Sequence, residues 1–476
     1  MRRGAFLPVV TAILFGFVTA AQANEASTVK PKDDGYRGIW FTLGQYSDAP
    51  YAKKSWDYGD KYSGGLGTYT ADHSPIAVHA PEVNKTFFCY GGAKKGQRYL
   101  YNMISYYDHA NDRVPRPTIV HDKGGVDDPH DNSSLAIDEE GHIWVYVAGR
   151  ARKRPGFVYR SVKPYDIDRF EQISSDEICY PQPHAVPGEG ILELFTKYTG
   201  VRELYWNVRN PDGSRGADHK LAGMGGQYQV SCRRGNRVAT AFNRHPEGVV
   251  DRRTDLYYVE TSDMGKTWQT ADGTTIAPPL VEPVNPALVK AYSADSRLVY
   301  INSMTLDNRG NPIILYVTSS SHQAGPGGDP HTWEVAHHKD GTWRIHRVTD
   351  STHNYDVGAL WIEADGTWRV VGPTEPGPQR WGTGGEVAVW TSRDEGATWT
   401  KLRDVTRNSP RNHSYVREVF DAEPDSPFAM LWADGHADKL SVSRLYFANR
   451  DGTKVRRLPY DMKGDWATPE SVEPTQ

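Results

Sequence analysis

The stretch TSDMGKTW, residues 261–268, returns as TSRDEGATW at residues 391–399. Aligned on Asp263 and Asp394, both copies give Ser/Thr-x-Asp-x-Gly-x-Thr-Trp. In such a turn the Asp side chain caps the backbone and the glycine tolerates positive φ, while the tryptophan is left to pack between strands. Weaker echoes are DGTWRI from Asp340 and DGTWRV from Asp365. A recurring turn implies a repeated supersecondary unit. Outward from these turns lie short runs such as KTFFCYGG, HIWVYVAGR, LELFTKYT, DLYYVETS, PIILYVTSS, FAMLWADG and SRLYFANR. They are rich in β-branched and aromatic residues and bounded by Gly, Asp, Asn or Pro, which predicts strands. Helical periodicity is scarce, so an all-β chain is expected. No linker or compositional break divides it.

The first residues, MRRGAFLPVVTAILFGFVTAAQA, have the form of a secretory leader. Arg2 and Arg3 precede an apolar run from Ala5 to Val18, and Ala21-Gln22-Ala23 is a small-residue cleavage site. Residues 1–23 are therefore expected to be removed, leaving 24–476 as a single exported domain, secreted or periplasmic. The apolar run is short for a bilayer span. The whole chain has 55 Lys and Arg against 59 Asp and Glu; without Arg2 and Arg3 the net charge moves from −4 to −6. That balance argues against a nucleic-acid partner, though a local basic groove can still receive an anionic polymer. Three cysteines, Cys89, Cys179 and Cys232, offer no disulfide framework and no zinc spacing.

The stretch GQYQVSCRRGNRVATAFNRHPEG, residues 226–248, looks like a hairpin. A loop centred on Asn236 makes Tyr228 and Arg244 cross-strand neighbours, about 5 Å apart at Cβ. A two-residue Gly-Asn turn instead shifts the register by one and separates them onto opposite faces. Histidines recur in polar clusters near strand ends: His73, His130, His184, His245, His353 and His413.

The paired turns resemble the Asp-box, or BNR repeat, which joins the outer strands of propeller blades. That resemblance implies a seven-bladed β-propeller of four-stranded antiparallel blades, at roughly 60 residues per blade. In such a fold, histidines contributed blade by blade converge on the central channel. Several further segments resemble the BNR-4 group of secreted propellers: YGDKYSGGLGTYTADHSP, DPHDNSSLAIDEEGHIWVYVAGR, FNRHPEGVVDRRTDLYYVETSDMGKTW and STHNYDVGALWIEADGTWRVVGP. Within that group are ulvan lyases, which use a histidine, a tyrosine and an arginine, the last two sixteen residues apart. Tyr228 and Arg244 have that separation here, and His130 sits in the DPHDN motif. The resemblance implies β-elimination on a rhamnose–uronate polysaccharide. Arg244 would neutralise the uronate, Tyr228 would act as acid and for one epimer as base, and His130 would be the base or its partner. Asn132, Arg150, His245, His353 and His413 are expected to bind substrate. One departure is that Arg150 stands where the family pattern places a second histidine. Arg152, Lys153 and Arg154 are expected to form a solvated loop. The chemistry needs no cofactor. Family members can carry a structural ion, zinc or calcium, but no spacing here names its ligands. A monomer acting on an anionic polysaccharide, away from membranes, is expected.

Two other classes fit an Asp-box propeller. A sialidase-like hydrolase needs paired carboxylates, and nothing in the sequence pairs Asp60, Asp131, Asp251, Glu375 or Glu386. The Arg-Ile-Pro motif of sialidases is absent. A non-catalytic glycan-binding propeller would use the aromatic residues for sugar stacking.

Overall fold

The computed structural model describes residues 28–43, 58–66, 72–97 and 99–473; the expected leader lies outside them. Strands dominate, and no helix among the described residues is long and apolar enough to cross a membrane. Seven antiparallel sheets form the blades of a propeller. Their innermost strands are Ala77–Ala80, Ser133–Ile137, Cys179–Val186, Gln229–Arg234, Leu298–Leu306, Ala359–Ile362 and Asn412–Glu418, defining blades 1 to 7 in chain order. Central strands of a blade are covered on both faces, which is why runs such as Ile143–Val147 and Pro312–Ser319 are buried throughout.

The two matching turns adopt matching geometry. In blade 4, Asp263 accepts from Thr267 N (2.8 Å) and Thr267 Oγ1 (2.6 Å), and Gly265 N donates to Thr261 Oγ1 (2.9 Å). In blade 6, Asp394 accepts from Thr398 N (2.9 Å) and Thr398 Oγ1 (2.6 Å), and Gly396 N donates to Ser392 Oγ (2.9 Å). Both turns connect the two outer strands of their blade, and so does Asp340 in blade 5. Asp365 differs: it lies between the first two strands of blade 6.

The hydrogen bonds from Thr398 and then Ser392 hold the Asp394 carboxyl down to about 2, from an ordinary 3.8. A carboxylate lowered on folding contributes stability that is present above its unfolded value and is lost as pH falls through its folded one. Urea midpoints measured between about pH 4 and pH 2 should therefore fall less steeply in Asp394→Asn than in the parent. Equal slopes would show that this turn carries no linkage.

Both chain ends seal the ring. Blade 7 meets blade 1 through the Phe420 backbone, which accepts from His79 N (2.9 Å) and donates to Ala77 O (2.9 Å). The N-terminal segment enters the same seam, where Gly38 bridges to both Gly92 and Ser443. Tyr36 N donates to Pro459 O at 2.9 Å, and the buried Tyr36 hydroxyl donates to Pro115 O at 2.6 Å. The short pair Phe41–Leu43 and Tyr62–Gly64 then crosses blades 6 and 7, with Ser63 N on Thr383 Oγ1 (3.0 Å). Gly64 is required there, because an added Cβ would fall 1.8 Å from the Tyr415 ring. Cys89, Cys179 and Cys232 are all buried free thiols.

Candidate active site

The hairpin in blade 4 closes through two residues, Gly235 and Asn236, with Arg234 opposite Arg237 and Gln229 opposite Phe242. Gly235, at φ +61°, supplies the positive φ that a two-residue loop matched to strand twist needs. This register sets Tyr228 against Asn243: Asn243 N donates to Tyr228 O at 3.1 Å, and Tyr228 N donates to Asn243 Oδ1 at 3.1 Å. Arg244 is therefore not the neighbour of Tyr228, as the loop centred on Asn236 requires. It points to the other face, where Nε donates to Asp255 Oδ2 at 2.6 Å.

Tyr228 instead heads a chain of aromatic and cationic contacts at the start of the inner strands. Its ring meets Tyr180 of blade 3 edge-on at 5.4 Å and His245 at 4.8 Å. The Arg253 guanidinium lies 4.8 Å from the Tyr228 centroid, 4.3 Å from that of Tyr300 and 5.2 Å from that of Tyr355. It donates to Tyr355 Oη at 2.9 Å. Arg202 stands 5.6 Å from the Tyr228 centroid on another side. Tyr180 in turn contacts His73 (5.4 Å) and His130 (5.8 Å), and Tyr355 contacts His353 (5.7 Å). Four of the six histidines thus meet through these rings. His184 and His413 do not: His184 Nε2 bonds to Ser231 Oγ at 2.7 Å.

His130 lies in the 3-10 turn Pro129–Asp131, just before the inner strand of blade 2. Its Nδ1 bonds to Asp128 Oδ1, and its backbone N donates to the same oxygen at 3.1 Å. Asp128 Oδ2 accepts from Arg150 (2.9 Å) and Arg154 (2.5 Å). Arg154 also grips Asp131 through Nε (2.9 Å) and a terminal nitrogen (2.8 Å), and Lys123 Nζ lies 3.2 Å from Asp131. Arg154 is therefore part of a charge network rather than a solvated loop. Burial pushes the His130 imidazole towards its neutral form despite Asp128, while His130 and the two arginines hold the Asp128 carboxyl well below the usual range. Tyr180, Tyr198 and Tyr62 are the phenols that face Arg150 electrostatically.

The remaining expected ligands divide by accessibility. Arg150 keeps 29% of its side chain exposed and Arg202 is half-buried, whereas Arg253 is 2% exposed. His245 is fully buried, and neither ring nitrogen has a hydrogen-bond partner among the described residues. Its neutral form is favoured by burial and by Arg253 and Arg202. Asn132 is spent on the backbone, donating to Leu66 O at 2.7 Å. His353 Nδ1 accepts from Tyr355 N (3.1 Å) and Nε2 faces Asp60 O (3.3 Å). His413 Nδ1 accepts from Trp432 Nε1 (3.0 Å) and Nε2 bonds to Ser409 Oγ (3.0 Å). Asn132, His353 and His413 thus tie segments together through these bonds, while Asn132 Oδ1 has no hydrogen-bond partner among the described residues. Asp128, Tyr180, Tyr198, Arg202 and Arg253 were not singled out by sequence, although Asp128 falls inside the DPHDN neighbourhood.

Among the described residues, no three His, Cys, Asp or Glu side chains are grouped to hold a metal ion. A cleft of about 460 Å³, lined by His79, Glu139, Tyr165 and Arg233 among others, opens at the far ends of the inner strands and includes none of the clustered residues above.

A family model described as a BNR repeat-containing family member matches residues 93–351, more than half of the chain. This chain belongs to that family. A curated relative, the "Ulvan lyase" of Alteromonas sp. (strain LOR), is 21% identical over 433 residues, covering 81% of this chain and 85% of its own. Among solved structures, a PL25 ulvan lyase superposes with a TM-score of 0.68 at 15% identity, covering 84% of this chain and 96% of the other. The same lyase bound to -[GlcA(1-4)Rha3S]- gives the same values. The polysaccharide lyase Uly1 matches with a TM-score of 0.59 at 13% identity, covering 89% and 99%. These structural likenesses establish the propeller of the family member; the chemistry has to be argued from its side chains.

Proposed function

We propose that the protein is a polysaccharide lyase that cleaves a rhamnose–uronic acid linkage of an anionic, ulvan-like polysaccharide by β-elimination. The observation that carries this is the cluster in which His130, Tyr228, Arg150 and Arg202 meet around Tyr180 and Tyr198. A relative named ulvan lyase, aligned over most of the chain, supports the same reading. β-Elimination needs three things: charge neutralisation at the uronate carboxylate, a base for H5, and an acid for the departing O4. Arg202, beside Tyr228, and Arg150, beside Asp128 and His130, are cations with exposed surface, so the role expected of Arg244 passes to them. Arg253, buried among three phenol rings, supports Tyr228 from behind. His130 is a neutral imidazole and takes the C5 proton. The C5–H electron pair becomes the C4–C5 double bond as the C4–O4 bond breaks, and the Tyr228 hydroxyl delivers a proton to O4. His130 and Tyr228 retain only 6% and 2% exposure, which keeps the charges in a poorly solvated setting where they act strongly. The leader-like N-terminus supports action outside the cytoplasm, and the enzyme is proposed to work as a monomer without a catalytic metal.

The test is the ultraviolet absorbance of the C4–C5 double bond, followed with purified protein on ulvan and on a glucuronan. A steady rise on ulvan is expected. Folded protein that gives no rise on any uronate polymer would overturn the lyase reading in favour of a hydrolase or a binding propeller.

A further inference from the structure

We propose that Asp128 is a positioning residue: it fixes which nitrogen of His130 carries the proton and anchors Arg150, making base and carboxylate clamp one unit. This rests on the lyase reading above. One oxygen of the carboxylate, Oδ1, meets His130 Nδ1 and His130 N; the other, Oδ2, meets Arg150 (2.9 Å) and Arg154 (2.5 Å). The Asp128 side chain is only 12% exposed, and its two cationic partners keep it ionised. An ionised carboxylate only accepts hydrogen bonds, so Nδ1 must be the protonated nitrogen of a neutral His130. The lone pair then resides on Nε2, the nitrogen that acts as base in the proposed reaction. A base whose other ring nitrogen is held by a third group is the usual arrangement for an activated imidazole. The Arg150 contact adds a second consequence. Because Arg150 and His130 share one carboxylate, the distance between the uronate clamp and the base is set within a segment of 23 residues rather than across separate blades.

Asp128→Asn separates this role from simple packing. The amide is close in shape but carries a donor that can face Nδ1 and so move the ring proton to Nε2. Two measurements on the full chain are needed. In protein carrying ¹⁵N-labelled histidine, the ¹⁵N–¹H couplings of His130 should place the proton on Nδ1 in the wild type and on Nε2 in the variant. In steady-state assays on ulvan, kcat should fall about 10²-fold or more, in the range that loss of a general base costs, with a smaller change in KM. A wild-type proton on Nε2 overturns the proposal, whether or not the variant folds. So does a folded variant that keeps wild-type kcat. If the wild type forms no unsaturated product, the lyase reading fails, while the couplings still decide whether Asp128 sets the His130 tautomer.

Discussion

Tyr228→Phe is expected to lower kcat on ulvan by about 10²–10⁴-fold, the usual contribution of a positioned proton donor, while the propeller stays folded. The substitution removes one hydroxyl and leaves the ring. The contacts that hold that ring, with Tyr180 at 5.4 Å, His245 at 4.8 Å and Arg253 at 4.8 Å, are face and edge contacts that a phenyl group also makes. The stability cost should therefore be about 1 kcal/mol, that of a single hydrogen-bonding group. Initial rates of ultraviolet absorbance, set beside a thermal unfolding curve, check both halves. A variant that retains the wild-type rate removes Tyr228 from the chemistry and leaves O4 without its proposed acid.

The second large effect contrasts two arginines. Arg244→Ala leaves the Asp255 carboxylate, 3% exposed, without its cation, although Ser293 N still donates to it at 2.7 Å. Breaking a buried pair from one side costs about 3–5 kcal/mol. The expected result is a large fall in unfolding free energy with near-normal kcat/KM where the variant remains folded. Arg150→Ala should do the reverse. Its side chain is more exposed, so stability changes less, but loss of a preorganised cation at the developing carbanion costs about 10²–10³ in rate. Denaturant unfolding and kcat/KM on both variants settle the matter. If Arg244→Ala loses activity while its stability is intact, the uronate clamp is Arg244 and the assignment to Arg150 is wrong.

The repeat turns made the architecture legible. An Asp, a Gly and a Trp at fixed spacing encode a local conformation, and local conformation is what a sequence states directly. The hairpin was legible but its register stayed open, because two loop lengths suit RRGNR and alternate faces reverse with each step. His130 was visible in its motif, but Asp128 beside it was not chosen, since nothing in the sequence says that its carboxylate turns back onto the imidazole. Tyr180 and Arg202 belong to two strands of blade 3 and meet Tyr228 only through the ring of blades, while Arg253 comes from the loop before the third strand of blade 4. His353 and His413 look like ligands in sequence because their partners are a distant backbone carbonyl at Asp60 and the indole of Trp432.

The seam between blades 1 and 7 has a consequence for how the molecule is made. Tyr36 and Gly38 find their partners at Pro459 and Ser443, more than 400 residues away in sequence. During synthesis the segment 36–38 meets Pro115 and Gly92 early, but its contacts to blade 7 have to wait for nearly the whole chain. Blades 2 to 6 can form their local hairpins in turn, but ring closure is a last and concerted event. A chain truncated before blade 7 keeps most of its sheets, yet it exposes an unpaired blade edge and an N-terminal strap held on one side only, the state most prone to sticking to a second copy.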